Sequence, residues 1–226
     1  MSLSMKSIHY VTLCLGLWLV TEKLDAQAGP TAQDSLVNPS EIQFTSQAEK
    51  DAYIAYLSDS SSINLLKLMI LSGNSISQDA LEDYLSQVKQ FVQTIDLSEL
   101  DKMKEKKKVK YIYDDVHKVF FKKYEEKVIF QDIFTKGYYN CATASSLFAC
   151  IFDLLRIPYN GKETPSHVFL VAYPASSNIL VETTTPGTGS VSFSDKTKSD
   201  YINYLVRSKI ITAEDTRNQS VNELFN

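Results

Sequence analysis

Residues 141–155 are apolar around most of the circumference that they would have as an α-helix. A helix of this kind is packed on several sides and therefore lies at the centre of its domain. Arg156-Ile157-Pro158 ends the pattern, because the residue before a proline is disfavoured in the helical conformation. The rest of the domain must supply the elements that cover this helix.

Two segments after the central helix have the composition of β-strands. Residues 166–173 and 178–184 are rich in Val, Ile, Leu and Thr, and Pro174-Ala175-Ser176-Ser177 between them is typical of a turn. They predict a β-hairpin, followed by a short strand near residues 191–193 and an amphipathic helix near residues 201–206. A helical segment followed by antiparallel strands predicts an α+β fold, with the central helix packed on an antiparallel sheet.

The half of the domain before the central helix is predicted to be helical. Apolar residues recur at spacings of three and four in four segments separated by polar breaks: residues 48–57, 63–71, 81–92 and a longer segment from Leu97 to about Tyr124. His117 lies at the border of the apolar stripe of the longest helix. We expect it to be a packed residue and not a ligand.

The first 28 residues have the layout of a secretory signal peptide. An apolar run at residues 10–20 is followed by the small-x-small tripeptide Ala26-Gln27-Ala28. At about eleven residues the run is short of the roughly 20 needed to cross a bilayer. A transmembrane helix and a lipid-modified Cys14 are the alternatives. We expect cleavage near Ala28 and an extracytoplasmic protein, either periplasmic or secreted, with no stable membrane span.

After the signal peptide, residues 29–45 are predicted to be a polar leader and residues 46–226 a single domain. This domain would have a helical part at residues 46–130 and a catalytic core at residues 131–195. The net charge of −4 argues against a nucleic-acid partner, because affinity for nucleic acid depends on clustered positive charge. A domain of this size can bury its aromatic residues without an oligomer, so we expect a monomer.

Cys141 and Cys150 remain after removal of the leader, and a disulfide between them is not expected. On one helix their Cα atoms would be about 13 Å apart on opposite faces, whereas a disulfide needs about 7 Å or less. A free thiol in an exported protein is unusual and suggests a chemical role.

Three residues could provide that chemistry. Cys141 would lie in the first turn of the central helix, where unpaired N–H groups and the helix dipole stabilise a thiolate. If residues 173–176 form the hairpin loop, Ala172 pairs with Ser177 and His167 lies directly opposite Glu182. The carboxylate could then orient the imidazole beside the nucleophile, as acyl transfer requires. A zinc site built from the same three residues is an alternative, although the paired ligand spacings typical of zinc are missing.

The motifs Tyr139-Asn140-Cys141-Ala-Thr-Ala-Ser-Ser-Leu-Phe, Leu154-Leu155-Arg156-Ile157-Pro158, His167-Val-Phe-Leu and Val181-Glu182-Thr-Thr-Thr-Pro resemble those of the transglutaminase-like superfamily. This superfamily is a branch of the papain-like cysteine-protease fold, and the chain is similar to exported bacterial members of it. Here 26 residues separate the cysteine from the histidine and 15 separate the histidine from the acid. The resemblance covers residues 137–187. It implies that Cys141 is the nucleophile, His167 the general base and acid, and Glu182 the orienting carboxylate.

Two departures from the family pattern affect the expected function. Glu182 stands where aspartate is usual, and the chain after residue 28 has no tryptophan, which crosslinking transglutaminases use around the thioester. The resemblance therefore favours an exported cysteine-dependent amide or peptide hydrolase or acyltransferase that needs no metal or organic cofactor. Its substrate would be a peptide or protein, cell-wall peptides included. The alternative is a non-catalytic interaction module with a vestigial triad.

Overall fold

The computed structural model describes residues 42–72, 75–164, 167–184, 190–192 and 195–209. The chain divides into two units, Met1–Phe44 and Thr45–Asn226. Only residues 42–44 of the first unit are among those described. The predicted signal peptide with its cleavage position at Ala28, and the leader as far as residue 41, therefore lie outside the described residues.

The described part of the second unit contains eight α-helices. They are α1 (Gln47–Ser58), α2 (Ser62–Leu71), α3 (Gln78–Thr94), α4 (Leu97–Lys102), α5 (Glu105–Phe120), α6 (Asp132–Lys136), α7 (Cys141–Leu154) and α8 (Asp195–Arg207). The helices predicted at α1, α2, α3, α7 and α8 are confirmed. Serine side chains cap the starts of α1 and α3: Ser46 accepts a hydrogen bond from the Glu49 N–H, and Ser77 accepts one from the Ala80 N–H. None of the described helices is long and apolar enough to cross a bilayer.

The prediction of one helix from Leu97 to about Tyr124 is wrong. The backbone is extended at Met103 and Lys104, with ψ 145° at each, and this separates α4 from α5. Residues nine apart lie on opposite faces of a continuous helix, yet Leu100 and Val109 are both buried. The break turns both side chains toward the core.

Four strands form an antiparallel sheet in the order β3-β4-β5-β6. They are β3 (Tyr159–Thr164), β4 (His167–Ala172), β5 (Ile179–Val181) and β6 (Ser190–Ser192). The predicted α+β class, the hairpin of β4 and β5, and the strand near residue 191 are confirmed, although Phe193 lies outside the described residues. A second, parallel pair joins β1 (Lys123–Tyr124) to β2 (Tyr138–Tyr139). Strand β3 was not predicted, because its residues Tyr-Asn-Gly-Lys-Glu-Thr lack an apolar alternation.

The central helix α7 is buried along most of its length, as predicted. It contacts α2 and α3, and it also contacts β3 and β4 of the sheet. Its buried residues run from Thr143 to Phe152. Helix α5 covers β5 and β6, and its Tyr113 ring stacks on Phe148 of α7 at 5.5 Å between centroids. This packing fixes the start of α7 beside the start of β4.

The end of α7 is closed by a left-handed residue, Arg156, at φ 57°. The Arg156 N–H donates to the Asp153 carbonyl at 3.0 Å, and the Ile157 N–H donates to the Phe152 carbonyl at 2.8 Å. This is the Schellman arrangement, in which glycine is more common than arginine at the left-handed position. The helix ends before Pro158, as its sequence predicts.

The register expected for the β4–β5 hairpin is wrong by two residues. Ala172 pairs with Ile179 and not with Ser177, because the Asn178 N–H donates to the Tyr173 carbonyl at 2.9 Å and closes the loop at residues 174–177. Tyr173 and Asn178 both have positive φ, at 51° and 45°. A shift of two residues keeps every side chain on its expected face. Continued one residue past β5, the register places Glu182 opposite Phe169 and diagonally across from His167.

Candidate active site

Cys141 is the first residue of α7, and the start of that helix is capped on both sides. The side chain of Asn140 accepts the Thr143 N–H at 2.9 Å, while Thr143 Oγ1 accepts the Asn140 N–H at 3.0 Å. This capping box satisfies two backbone donors reciprocally. Asn140 Nδ2 also donates to the Glu126 carbonyl at 3.0 Å, which ties the start of the helix to the chain after β1. The thiol is therefore held at the positive end of the helix dipole.

The structure brings Cys141, His167 and Glu182 together. His167 Nε2 lies 2.7 Å from Glu182 Oε2, and both side chains are buried, with about one-twentieth of their surface exposed. The His167 imidazole and the Cys141 thiol are close enough for each to shift the pKa of the other. The imidazole therefore connects the sulfur to the carboxylate.

The electrostatics of the cluster favour a charged pair. Burial by itself raises the pKa of the Cys141 thiol, but hydrogen bonds to the His167 side chain and the Val168 N–H, with the charge of His167, bring this pKa below its ordinary value. Burial by itself lowers the pKa of His167, whereas hydrogen bonds to Cys141 and Glu182, with their negative charges, raise it to about 9. Between the two pKa values a thiolate lies beside an imidazolium, and a thiolate is the nucleophilic form of cysteine.

No protein-family model, curated protein or solved structure matches this chain.

Glu182 is held by two residues that were not predicted to belong to the site, Thr184 and Tyr113. Its Oε1 accepts the Thr184 N–H at 3.0 Å and the Thr184 hydroxyl at 2.6 Å, so Oε2 is left to face His167. The Tyr113 hydroxyl donates to the Glu182 backbone carbonyl at 2.9 Å. The threonines after Glu182 were the available signal for the first contact. The contact with Tyr113 joins residues 69 positions apart, which no local pattern could indicate.

A second set of hydrogen bonds joins α7 to β4 and to the segment that follows β5. Ser145 Oγ lies 3.1 Å from Thr183 Oγ1 and donates to the Val168 carbonyl at 3.2 Å. Ser145 is one helical turn after Cys141, and Val168 and Thr183 each follow a predicted site residue. These contacts fix the nucleophile against both other members of the cluster.

His117 lies behind the site and is a packed residue, as expected. Its ring is within 6.0 Å of four aromatic rings, measured between centroids: Tyr113, Phe121, Tyr139 and Phe148. Burial lowers its pKa to about 4, partly offset by the negative charge of Asp114 and a hydrogen bond to the Thr183 backbone. The imidazole is therefore neutral near neutral pH.

Both described cysteines are free, which confirms that they form no disulfide with each other. Burial raises the pKa of Cys150, and that thiol is completely enclosed, so Cys150 is unreactive in the folded protein. Within the described ranges, no group of three or more His, Cys, Asp or Glu side chains is placed to hold a metal ion.

Proposed function

We propose that this protein is a cysteine-dependent amide or peptide hydrolase or acyltransferase with a papain-like, transglutaminase-like core. The proposal includes action outside the cytoplasm after removal of the leader near Ala28. The observation that carries it is the buried contact of His167 with Glu182, at 2.7 Å, together with the interaction of this imidazole with the Cys141 thiol at the start of α7. Along the chain, a cysteine at a helix start is followed by a histidine on β4 and then by an acid directly after β5. This order supports the same assignment.

The chemistry follows from these positions. The Cys141 thiolate attacks the carbonyl carbon of an amide, forming a C–S bond and a tetrahedral oxyanion. The His167 imidazolium donates its proton to the leaving nitrogen as the C–N bond breaks, which leaves a thioester on Cys141. Water then attacks the thioester with His167 as the base, or a second amine takes its place. Glu182 keeps the imidazole oriented and stabilises its charge throughout. None of these steps requires a metal or organic cofactor.

Alkylation by iodoacetamide tests the proposal on the purified protein. Peptide mapping follows each cysteine separately. We expect Cys141 to be alkylated rapidly below about pH 8, where an ordinary thiol with a pKa of about 8.5 is mostly protonated. His167→Ala should slow this reaction, since it removes the partner of the thiolate.

Cys150 is the internal control, because it should remain unlabelled in both proteins until they are unfolded. The alternative function, an interaction module with a vestigial triad, predicts slow labelling of Cys141 that His167→Ala does not change. That result would overturn the proposed catalytic role.

A further inference from the structure

Tyr124 lies on β1, the strand that pairs with β2 just before the start of α7. The parallel pairing of β1 and β2 aligns Tyr124 with Tyr139, and the Glu125 N–H donates to the Tyr139 carbonyl at 2.9 Å. Paired residues of neighbouring strands point to the same face of a sheet. Asn140 is extended at φ −129° and ψ −176°. The alternation of side-chain directions therefore continues through Asn140, and we expect the Cys141 side chain on the same side as that of Tyr139.

Gly137 allows this close pairing. It has φ 71°, and a Cβ added there would lie 2.6 Å from Lys122 Cγ. The Lys122 N–H donates to the Gly137 carbonyl at 2.7 Å, which begins the pairing of the two strands. The position of Tyr124 is therefore set by backbone geometry and not by a flexible loop.

The Tyr124 ring is anchored on one side and open on the other. Its edge packs against Tyr139 with 6.0 Å between centroids, and Tyr139 is itself buried and stacked on Phe121. Tyr124 is nevertheless 46% exposed. Among the described residues its hydroxyl has no hydrogen-bond partner, so its proton is available to a bound molecule.

The charges around this hydroxyl keep it protonated. Burial raises the pKa of Tyr124, and the negative charges of Cys141, Glu126 and Glu182 raise it further. A neutral phenol at that position can donate a hydrogen bond but cannot act as a base.

We propose that the Tyr124 hydroxyl donates a hydrogen bond to the oxyanion formed when Cys141 attacks a carbonyl carbon. The inference rests on the acyl transfer proposed above. As the C–S bond forms, the C=O π electrons move to oxygen, and Tyr124 stabilises the resulting negative charge. The Cys141 backbone N–H, which as a first-turn donor has no partner within α7, is the second donor. The charge returns to the carbonyl when the leaving group departs, so Tyr124 keeps its proton.

Two reagents separate this role from an effect on the thiolate. Iodoacetamide reacts with Cys141 by displacement of iodide, and no oxyanion forms. p-Nitrophenyl acetate acylates the same sulfur through a tetrahedral oxyanion and releases p-nitrophenolate. Both rates are to be measured on the full chain for wild type and for Tyr124→Phe, which removes only the hydroxyl.

In Tyr124→Phe we expect p-nitrophenyl acetate to acylate Cys141 about 10²- to 10³-fold more slowly than in wild type, the usual effect of removing one oxyanion donor. Iodoacetamide should alkylate Cys141 at the wild-type rate. Tyr138→Phe, on the other face of β2, and Tyr111→Phe, on the exposed surface of α5, are matched controls that should change neither rate. Equal acylation by Tyr124→Phe and wild type would overturn the role of Tyr124 and leave the proposed function standing. A parallel fall of both rates would also overturn it, because Tyr124 would then act on the thiolate. A wild-type Cys141 that reacts slowly with both reagents would overturn the proposed function itself.

Discussion

His167 Nε2 and Glu182 Oε2 are 2.7 Å apart in a buried contact between side chains that are not directly opposite each other. The register of β4 and β5 puts Glu182 across from Phe169, so the carboxylate reaches His167 along a diagonal of the sheet. Diagonal neighbours are about 7–8 Å apart at the backbone, a distance that long side chains can bridge. The length of the glutamate side chain provides that reach.

Glu182→Asp should therefore impair the site even though it keeps the charge. The shorter side chain withdraws the carboxylate from His167 Nε2, and a hydrogen bond involving a charged group contributes about 1.5–3 kcal/mol. We expect a fall of this order in the unfolding free energy, measured by urea denaturation, and slower alkylation of Cys141 near neutral pH. Glu163→Asp, on the exposed surface of β3, is the control and should change neither quantity. Wild-type alkylation by Glu182→Asp would show that reach is not the reason for glutamate.

The cap of α7 should matter for both stability and reactivity. Asn140→Ala removes the acceptor of the Thr143 N–H, and loss of such a cap costs about 1 kcal/mol of unfolding free energy. Ser46→Ala removes the corresponding cap of α1 and should cost a similar amount. Only Asn140→Ala should slow the alkylation of Cys141, because only that cap positions the nucleophile. Equal alkylation rates in the two variants would show that the Asn140 cap does not position Cys141.

The elements that the sequence predicted well are those with strong local signals. Helix α7 has a continuous apolar surface and a proline beyond its end, and α1 and α3 have serine caps before a regular apolar stripe. The register of β4 and β5 failed because it depends on the left-handed residues Tyr173 and Asn178, neither of which is glycine. The prediction of one continuous helix across α4 and α5 was wrong because the break at Met103 allows both Leu100 and Val109 to be buried, which is a tertiary effect.

His117 should make the protein less stable in acid. Its pKa is about 4 in the folded protein and about 6.5 when unfolded. Its contribution to stability is therefore present in full above the unfolded pKa and is lost as the pH falls from 6.5 toward 4, because the unfolded state binds the proton first. The loss attributable to this residue is at most about 3 kcal/mol.

His117→Phe keeps an aromatic ring in the cluster and cannot be protonated. As the pH is lowered through that range, the unfolding free energy of the wild type should fall relative to that of this variant. Urea denaturation at a series of pH values gives this difference directly. A difference that is constant with pH would show that the His117 pKa is not depressed in the folded protein.

The candidate site was predicted as three residues and is larger in the structure. Cys141, His167 and Glu182 could be chosen because each has reactive chemistry and because strand alternation is insensitive to a register error of two residues. Thr184 was hidden within a run of threonines that also fits a strand. Tyr113 and Tyr124 approach the site from α5 and β1, and only the tertiary fold places them there.

Titration of the Cys141 thiolate tests the proposed charged pair. Ultraviolet absorbance of the thiolate is followed against pH in wild type and in Cys141→Ser, and the difference isolates this sulfur. We predict an apparent pKa below the ordinary value of about 8.5, and a higher value in Glu182→Gln, which weakens the support of His167. A Cys141 thiolate that appears only at or above the ordinary pKa, and does not respond to Glu182→Gln, would contradict the proposed charged pair.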